Sequence, residues 1–290
     1  MALEDTDVFT RLERFYDAVP RDAAVAEEIG GFVLFVNDGT GWPYYARPSL
    51  GGAGTPSAAD VTAVRQRQRD LGVPEAFEWV HETTPDLLAV ARSAGLDVLL
   101  APLMVLESAA LVPDLPLPGA TIRFLDPATP GFAADMSTSR AVGRLGFGAP
   151  ANATTVQTGS LVVEVAGPAQ RDAVPPLTDE AIAELVRRHL SGRFLSAVVE
   201  SPTEGIMACG SIQRAGVVAE VVGVATLPSA RRRGYASQLT ASLARRTLME
   251  GSELVFLSAG DDDVARLYSK VGFRRIGTAC IAEPAATAAL

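Results

Sequence analysis

The sequence is poor in the residues that build most hydrolytic and metal centres. It holds two cysteines, Cys209 and Cys280, and two histidines, His81 and His189, in 290 residues. Two cysteines are too few for a disulfide framework and lack metal-ligand spacing, so both are expected as apolar strand positions and no metal is expected. Two distant histidines leave little from which to build a Ser-His-Asp or zinc hydrolase. Apolar residues make up 48% of the chain, yet charges, Pro or Gly interrupt them throughout, and no run is long enough to span a bilayer. The opening "MALEDTDVFTRLERF" lacks the basic-then-apolar layout of a signal peptide. A soluble, cytoplasmic protein with no membrane partner is the expectation. The net charge of −9 opposes binding to nucleic acid, whose affinity rests on Lys and Arg neutralising phosphates. It suits a cationic or amine-bearing small substrate.

What is present is an α/β pattern in two halves. Punctuation is densest at "PDLPLPGA", Pro113 to Ala120, which reads as a linker, and places one domain at residues 1–118 and a second at 119–290. The second half opens with the strand pattern "TIRFLD", a helix-like segment near Ala133 to Leu145, and a loop-rich region. The helix "DEAIAELVRRHL" follows from Asp179, with Ile182, Leu185, Val186 and Leu190 at helical spacing. Strands "FLSAVVE" and "GIMACGSIQ" come next, then "VVAEVVGVATL", a helix from Tyr235 to near Gly251, the strand "ELVFLSA", the helix "DDDVARLYSKVG" and the strand "FRRIGTACIAE". The first half offers a hairpin in "GFVLFVNDGTGWPYYARP", then "ADVTAVRQRQRDLG" as helix, "AFEWV" as strand, "TPDLLAVARSAG" as helix and "VLLAPLMVLE" as strand. Laying Phe77 to Leu96 on Leu254 to Phe273 needs no gap at a constant offset of 177. The matched order of elements predicts an internal duplication.

The stretch "ATLPSARRRGYASQL" carries a strand into a turn and a helix. Such a junction presents unpaired amides and the positive end of a helix dipole, which is an anion site. Gly234 allows close backbone approach and Arg231, Arg232 and Arg233 add charge, so a pyrophosphate is a reasonable guest; a solvated arginine face is the alternative. The stretch has neither the Walker order nor the dinucleotide glycine spacing.

"VATLPSARRRGYA" resembles the coenzyme A loop of the GCN5-related N-acetyltransferases, with Arg231, Gly234 and Ala236 matching Arg/Gln-x-x-Gly-x-Gly/Ala and Pro228 just ahead. "DDDVARLYSKVGF" resembles that superfamily's other signature through Leu267, Tyr268, Gly272 and Phe273. Asp261 stands where Asn is common, and Val264 replaces an alanine. The likeness covers roughly Thr121 to Glu283 and is sharpest from Val217 onward.

The resemblance implies two tandem domains of that fold, each a mixed, mostly antiparallel sheet flanked by helices. It implies acetyl-CoA as co-substrate and acetyl transfer to a primary amine of a small molecule or peptide. Backbone groups of Val224, Ala225 and Thr226 would meet the pantetheine arm. Arg232 to Ser237, with Tyr235 and Ala236 among them, would give amides to the pyrophosphate, with Arg231 and Asp261 in the same set. Tyr268 would be the general acid toward the sulfur. Glu220 is the candidate general base, with a water-mediated route as the alternative. At the same offset Tyr268 falls on Ala91 and Arg231 on Gly54, so the first half reads as a degenerate copy. A silent acyl-CoA-binding protein of the same fold is the competing reading. Dimers are common in the superfamily, so a homodimer is possible.

Overall fold

In the computed structural model, which describes residues 5–37, 44–52, 54–149, 156–158, 161–163 and 165–285, the chain forms two compact units. The first comprises Met1–Val105, Ser258–Arg266 and Arg274–Leu290; the second comprises Leu106–Leu257 and Leu267–Phe273.

The first unit begins with helix α1 (Asp5–Ala18) and strands β1 (Ala24–Ile29), β2 (Phe32–Asn37) and β3 (Arg47–Pro48). Helix α2 (Ala58–Leu71), strand β4 (Phe77–Val80), helix α3 (Leu87–Ser93) and strand β5 (Leu96–Leu106) follow. The hairpin expected around "GFVLFVNDGTGWPYYARP" is β2 paired antiparallel with β3; residues 38–43 of that stretch lie outside the described residues. Helix α2 starts where a capping box directs it. The Ser57 hydroxyl accepts from the Asp60 amide at 3.2 Å, and the Asp60 carboxylate accepts from the Ser57 amide at 2.8 Å. Phe32, Phe77, Trp79, Val61, Val64 and Leu87 form the core.

The second unit contains strand β6 (Thr121–Phe124), helix α4 (Phe132–Phe147), strands β7 (Val156–Thr158) and β8 (Leu161–Val163), and helices α5 (Pro168–Asp172) and α6 (Asp179–Leu190). Then come strands β9 (Phe194–Ser201), β10 (Gly205–Ala215) and β11 (Val218–Thr226), helix α7 (Tyr235–Met249) and strand β12 (Leu254–Ser258); helix α8 (Asp262–Ser269) follows, with Asp262–Arg266 in the first unit and Leu267–Ser269 in the second. Its strands lie in the order β12-β11-β10-β9-β6. The pairings from β6 to β11 are antiparallel and β12 runs parallel to β11. This is the mixed, antiparallel-rich sheet expected. Helix α4 packs on one face, where Gly143 lies against Cys209, and α7 on the other, where Leu239 and Leu243 close over Gly210. Tyr235, Leu239 and Leu243, four apart in sequence, are all buried. Helix α6 carries Asp179 and Glu180 in its first turn and Arg187 and Arg188 in its last, each sign opposite the dipole end it meets. Among the described residues no helix is long and apolar enough to cross a membrane.

The final strand, β13 (Phe273–Pro284), pairs antiparallel with β4, Cys280 opposite Trp79, and lies between β4 and β5. Packing therefore does not divide the chain at Pro113 to Ala120 alone. Cys280 and Ala282 complete the apolar core of the first unit, a partnership that spacing along the chain cannot reveal. Helix α2 and strands β4 and β5 begin at residues 58, 77 and 96, each 177 before the starts of α7, β12 and β13 at 235, 254 and 273.

Gly272, which ends the α8 segment, has φ 117, and a Cβ there would stand 2.5 Å from the Ala110 carbonyl oxygen. Gly251 has φ 97 with nothing within 4 Å of that position. Gly272→Ala is expected to destabilise the fold by about 2–3 kcal/mol, combining positive-φ strain with a backbone clash, and Gly251→Ala by only about 1. Urea unfolding midpoints check this; equal shifts in the two variants would contradict it.

Candidate active site

Strand β11 is paired on one side along its length and on the other only at its start. Its parallel ladder with β12 runs through Val218, Ala219 and Glu220, opposite Leu254, Val255 and Phe256. Its antiparallel ladder with β10 continues to Thr226. Beyond Glu220 the two parallel strands part, so Val224, Ala225 and Thr226 lie where β11 has no ladder with β12. The pairing with β10 shifts between Cys209 and Ser211, and Gly223 has φ 63. Two residues of β11 thus face one of β10 in a bulge centred on a glycine in the left-handed region. The glycine inside "AEVVGVAT" was the available signal for it. Gly146 of α4 fits against this segment, and a Cβ on it would reach the Ala225 Cβ at 3.0 Å and the Thr226 carbonyl at 3.1 Å. The Thr226 hydroxyl is buried and, among the described residues, has no hydrogen-bond partner.

After β11 a short 3-10 turn at Pro228–Ala230 leads into the arginines. Arg232 has φ 68 and Gly234 φ 81, with Gly234 the N-cap of α7 and no side chain capping the helix. The first amides of that helix, from Tyr235, Ala236 and Ser237, have no carbonyl a turn behind them to receive their protons. Successive left-handed turns of this kind form a concave nest for an anion. The corresponding start of α2 is different. There Asp60, held below the usual carboxylate range by hydrogen bonds from Ser57 and Gly31, already fills the end of the helix. The glycine run Gly51 to Gly54 borders a cavity of about 260 Å³ whose sole charged lining residue, among those described, is the carboxylate Glu13.

The three arginines do different things. The Arg231 guanidinium donates to the carbonyls of Gly146 at 2.7 Å and Ala149 at 3.1 Å, so it ties the turn to the C-terminal end of α4. Burial lowers its pKa. Arg233 pairs with Glu204 at 2.8 Å in the β9–β10 turn, which raises its pKa. Arg232 is exposed and, among the described residues, has no partner. The motif spacing did not distinguish these roles, because the partners come from α4 and a distant hairpin.

Because β11 and β12 are parallel, the arginine turn and α8 leave the same edge of the sheet. The Asp261 carboxylate accepts from the Val264 amide at 2.8 Å and its carbonyl from Ala265 at 2.9 Å, capping α8. Tyr268, 8% exposed, lies edge-on to Phe273 with ring centroids 6.1 Å apart. Desolvation alone raises its phenol to a pKa of about 12. Glu220 is half-buried at the last residue of the parallel ladder, opposite Gln213 of β10.

These features fit acetyl-CoA: an open amide nest for the pyrophosphate, an unpaired strand edge and an orphaned buried hydroxyl beside it, and a protonated phenol on the helix from the same sheet edge. Residues 198–282 match the family of FR47-like proteins. A GCN5-related N-acetyltransferase from Kribbella flavida superposes with a TM-score of 0.67 at 20% identity, over 97% of this chain and 98% of that one. A GCN5-related N-acetyltransferase-like protein from Streptococcus suis 89/1591 gives 0.52 at 14% identity over 97% and 99%. A functionally unknown conserved protein from Staphylococcus epidermidis ATCC 12228 gives 0.52 at 12% over 91% and 94%. No curated protein matches the sequence. At these identities the likeness is one of fold.

Proposed function

We propose that this chain, whose fold is that of the GCN5-related N-acetyltransferases, transfers an acetyl group from acetyl-CoA to a primary amine of a small molecule or peptide. The observation that carries the reading is the open N-terminus of α7 after the Arg232–Gly234 turn, beside the unpaired end of β11. Acetyl-CoA supplies an activated thioester. The backbone amides of Arg232 to Ser237 hold its pyrophosphate, with the Arg232 guanidinium adding charge, and the edge of Val224 to Thr226 aligns the pantetheine arm. Arg231 acts through α4, fixing the turn's position, and Asp261 acts by capping α8. Glu220 removes the ammonium proton, directly or through water, and Tyr268 donates a hydrogen bond to the departing sulfur. The first unit is a degenerate copy: its corresponding helix start is closed by its own Asp60, and among the described residues no cation lines its glycine cavity. The protein takes no nucleic acid and no metal into this reaction.

Calorimetric titration of acetyl-CoA tests this. One site per chain is expected, weakened about tenfold to a hundredfold in Gly234→Asp, which places a carboxylate in the anion nest. Arg231 is kept intact because its loss would also release α4. Two sites would mean the first unit retains its ligand, and no binding would refute the reading. Replacing Glu220 with Gln should remove the acidic limb of the pH–rate profile; an intact limb would assign deprotonation elsewhere.

A further inference from the structure

His189 is a buried titratable group to which the proposed reaction assigns nothing. It is 8% exposed, at the end of α6, between the edges of Phe132 and Phe194 with ring centroids 4.9 and 5.1 Å away. Its Nδ1 lies 2.7 Å from the Leu185 carbonyl. A carbonyl only accepts, so Nδ1 carries the proton and Nε2 of the neutral ring is an acceptor. Nε2 lies 3.1 Å from the hydroxyl of Ser196, which is fully buried, and that hydroxyl lies 2.9 Å from the hydroxyl of Ser211. The direction of the whole chain follows. Ser196 donates to His189, Ser211 donates to Ser196, and the Ser211 oxygen keeps lone pairs for a donor from outside.

The sheet register says where that outer end lies. Ser211 faces Val222 and Gln213 faces Glu220 across the β10–β11 pair, and residues opposite one another share a face. Ser211 is therefore the diagonal neighbour of Glu220, about 7–8 Å away between Cα atoms, on the face that carries α6 and at the place where β11 parts from β12.

We propose that His189, Ser196 and Ser211 form a proton relay that receives the proton of an acceptor ammonium seated on this face, an inference that rests on the amine-acetylation reading. An N–H bond of the ammonium breaks as an O–H bond forms at the Glu220 carboxylate, directly or through water, and that O–H bond breaks in turn as one forms at Ser211, its diagonal neighbour. The Ser211 proton passes to Ser196 and the Ser196 proton to His189 Nε2. The products are a free amine, two unchanged hydroxyls and an imidazolium, which returns its proton to solvent by the reverse path. Position at the C-terminal end of α6 favours the imidazolium. Burial and the nearby Arg188, whose guanidinium lies over the Phe194 ring, oppose it and lower the pKa, so the proton is held only briefly. Phe132 from α4, Phe194 and Ser196 from β9 and Ser211 from β10 bring no charge to the ring.

Two measurements test the relay. With only two histidines in the chain, nitrogen NMR of a histidine-labelled sample resolves the His189 ring without any ligand. A neutral ring protonated at Nδ1 is expected at neutral pH; a ring protonated at Nε2, or an imidazolium, has no place for the proton and would overturn the proposal. The second uses probe amines of similar size, benzylamine, which is an ammonium at neutral pH, and aniline, which is not. Ser196→Ala is expected to slow benzylamine acetylation at least about tenfold, leave aniline within about twofold, and leave acetyl-CoA affinity unchanged. Ser196→Thr, which keeps the hydroxyl, and Ser211→Ala, at a half-buried position, should restore and reproduce the effect respectively. Equal losses with both amines would show a structural role and reject the relay, as would no loss with benzylamine. Wild-type protein that fails to bind acetyl-CoA would instead reject the acetylation reading, and the ring measurement would still stand.

Discussion

Tyr268→Phe lowers kcat about 100-fold or more and leaves acetyl-CoA affinity within about threefold. The expectation follows from the position of the phenol. It is buried on the helix that leaves the sheet edge shared with the arginine turn, and desolvation alone holds its pKa near 12. Below pH 10 it is protonated in the folded and the unfolded chain. Its folded pKa is raised, so the stability it contributes is present below the unfolded value and is lost only as pH rises toward 12. The phenol is a weaker acid than an ordinary thiol, by roughly 3.5 units or about 5 kcal/mol. Complete proton transfer ahead of bond breaking is therefore uphill, and its effect lies in a hydrogen bond that strengthens as negative charge develops on sulfur. Phenylalanine keeps the ring and its edge contact with Phe273, so the thermal midpoint should hold. Unchanged kcat in a folded variant would remove Tyr268 from the chemistry.

Arg47→Met destabilises the first unit by about 3–5 kcal/mol, and Arg47→Met with Glu78→Met recovers most of the loss. Arg47 is 4% exposed, donates to Glu78 at 2.6 Å and lies over the Tyr16 ring at 3.9 Å. Burial pushes the Glu78 carboxyl up despite the opposing pull of Arg47. Without Arg47 the half-buried carboxylate loses the cation that offsets its desolvation, whereas two methionines fill similar space without charge. The sign of the pH dependence separates this from simple loss of packing. A carboxyl whose folded pKa is raised binds its proton more tightly when folded, so stability is lost as pH rises through that folded value. The single variant's deficit should therefore shrink as pH falls below neutral. Urea midpoints across the acid range measure it; a deficit independent of pH would mean that packing over Tyr16 dominates.

Local order was legible in the sequence because local physics sets it. The helix "DEAIAELVRRHL" is α6 at the residues its period marked. Asp261 and Gly272 act where capping and glycine rules put them, and the offset of 177 aligns the starts of three pairs of elements. The signal was poorer for α1, which was not anticipated, and for the turn Gly30–Gly31 that adds β1 to the first hairpin.

The sequence by itself determined most of the elements and their order, the strand-to-helix turn before α7 and the identity of the residues around it, since propensity, capping and period act within a few residues. Tertiary structure alone decided how those residues are used. It turned Arg231 onto α4 carbonyls, gave Arg233 to Glu204, parted β11 from β12 after Glu220, and returned β13 to β4. It also joined His189 to Ser211 through Ser196. Each of these depends on groups brought together from distant parts of the chain, where the competition for a hydrogen bond or a strand edge is settled by packing and not by sequence spacing.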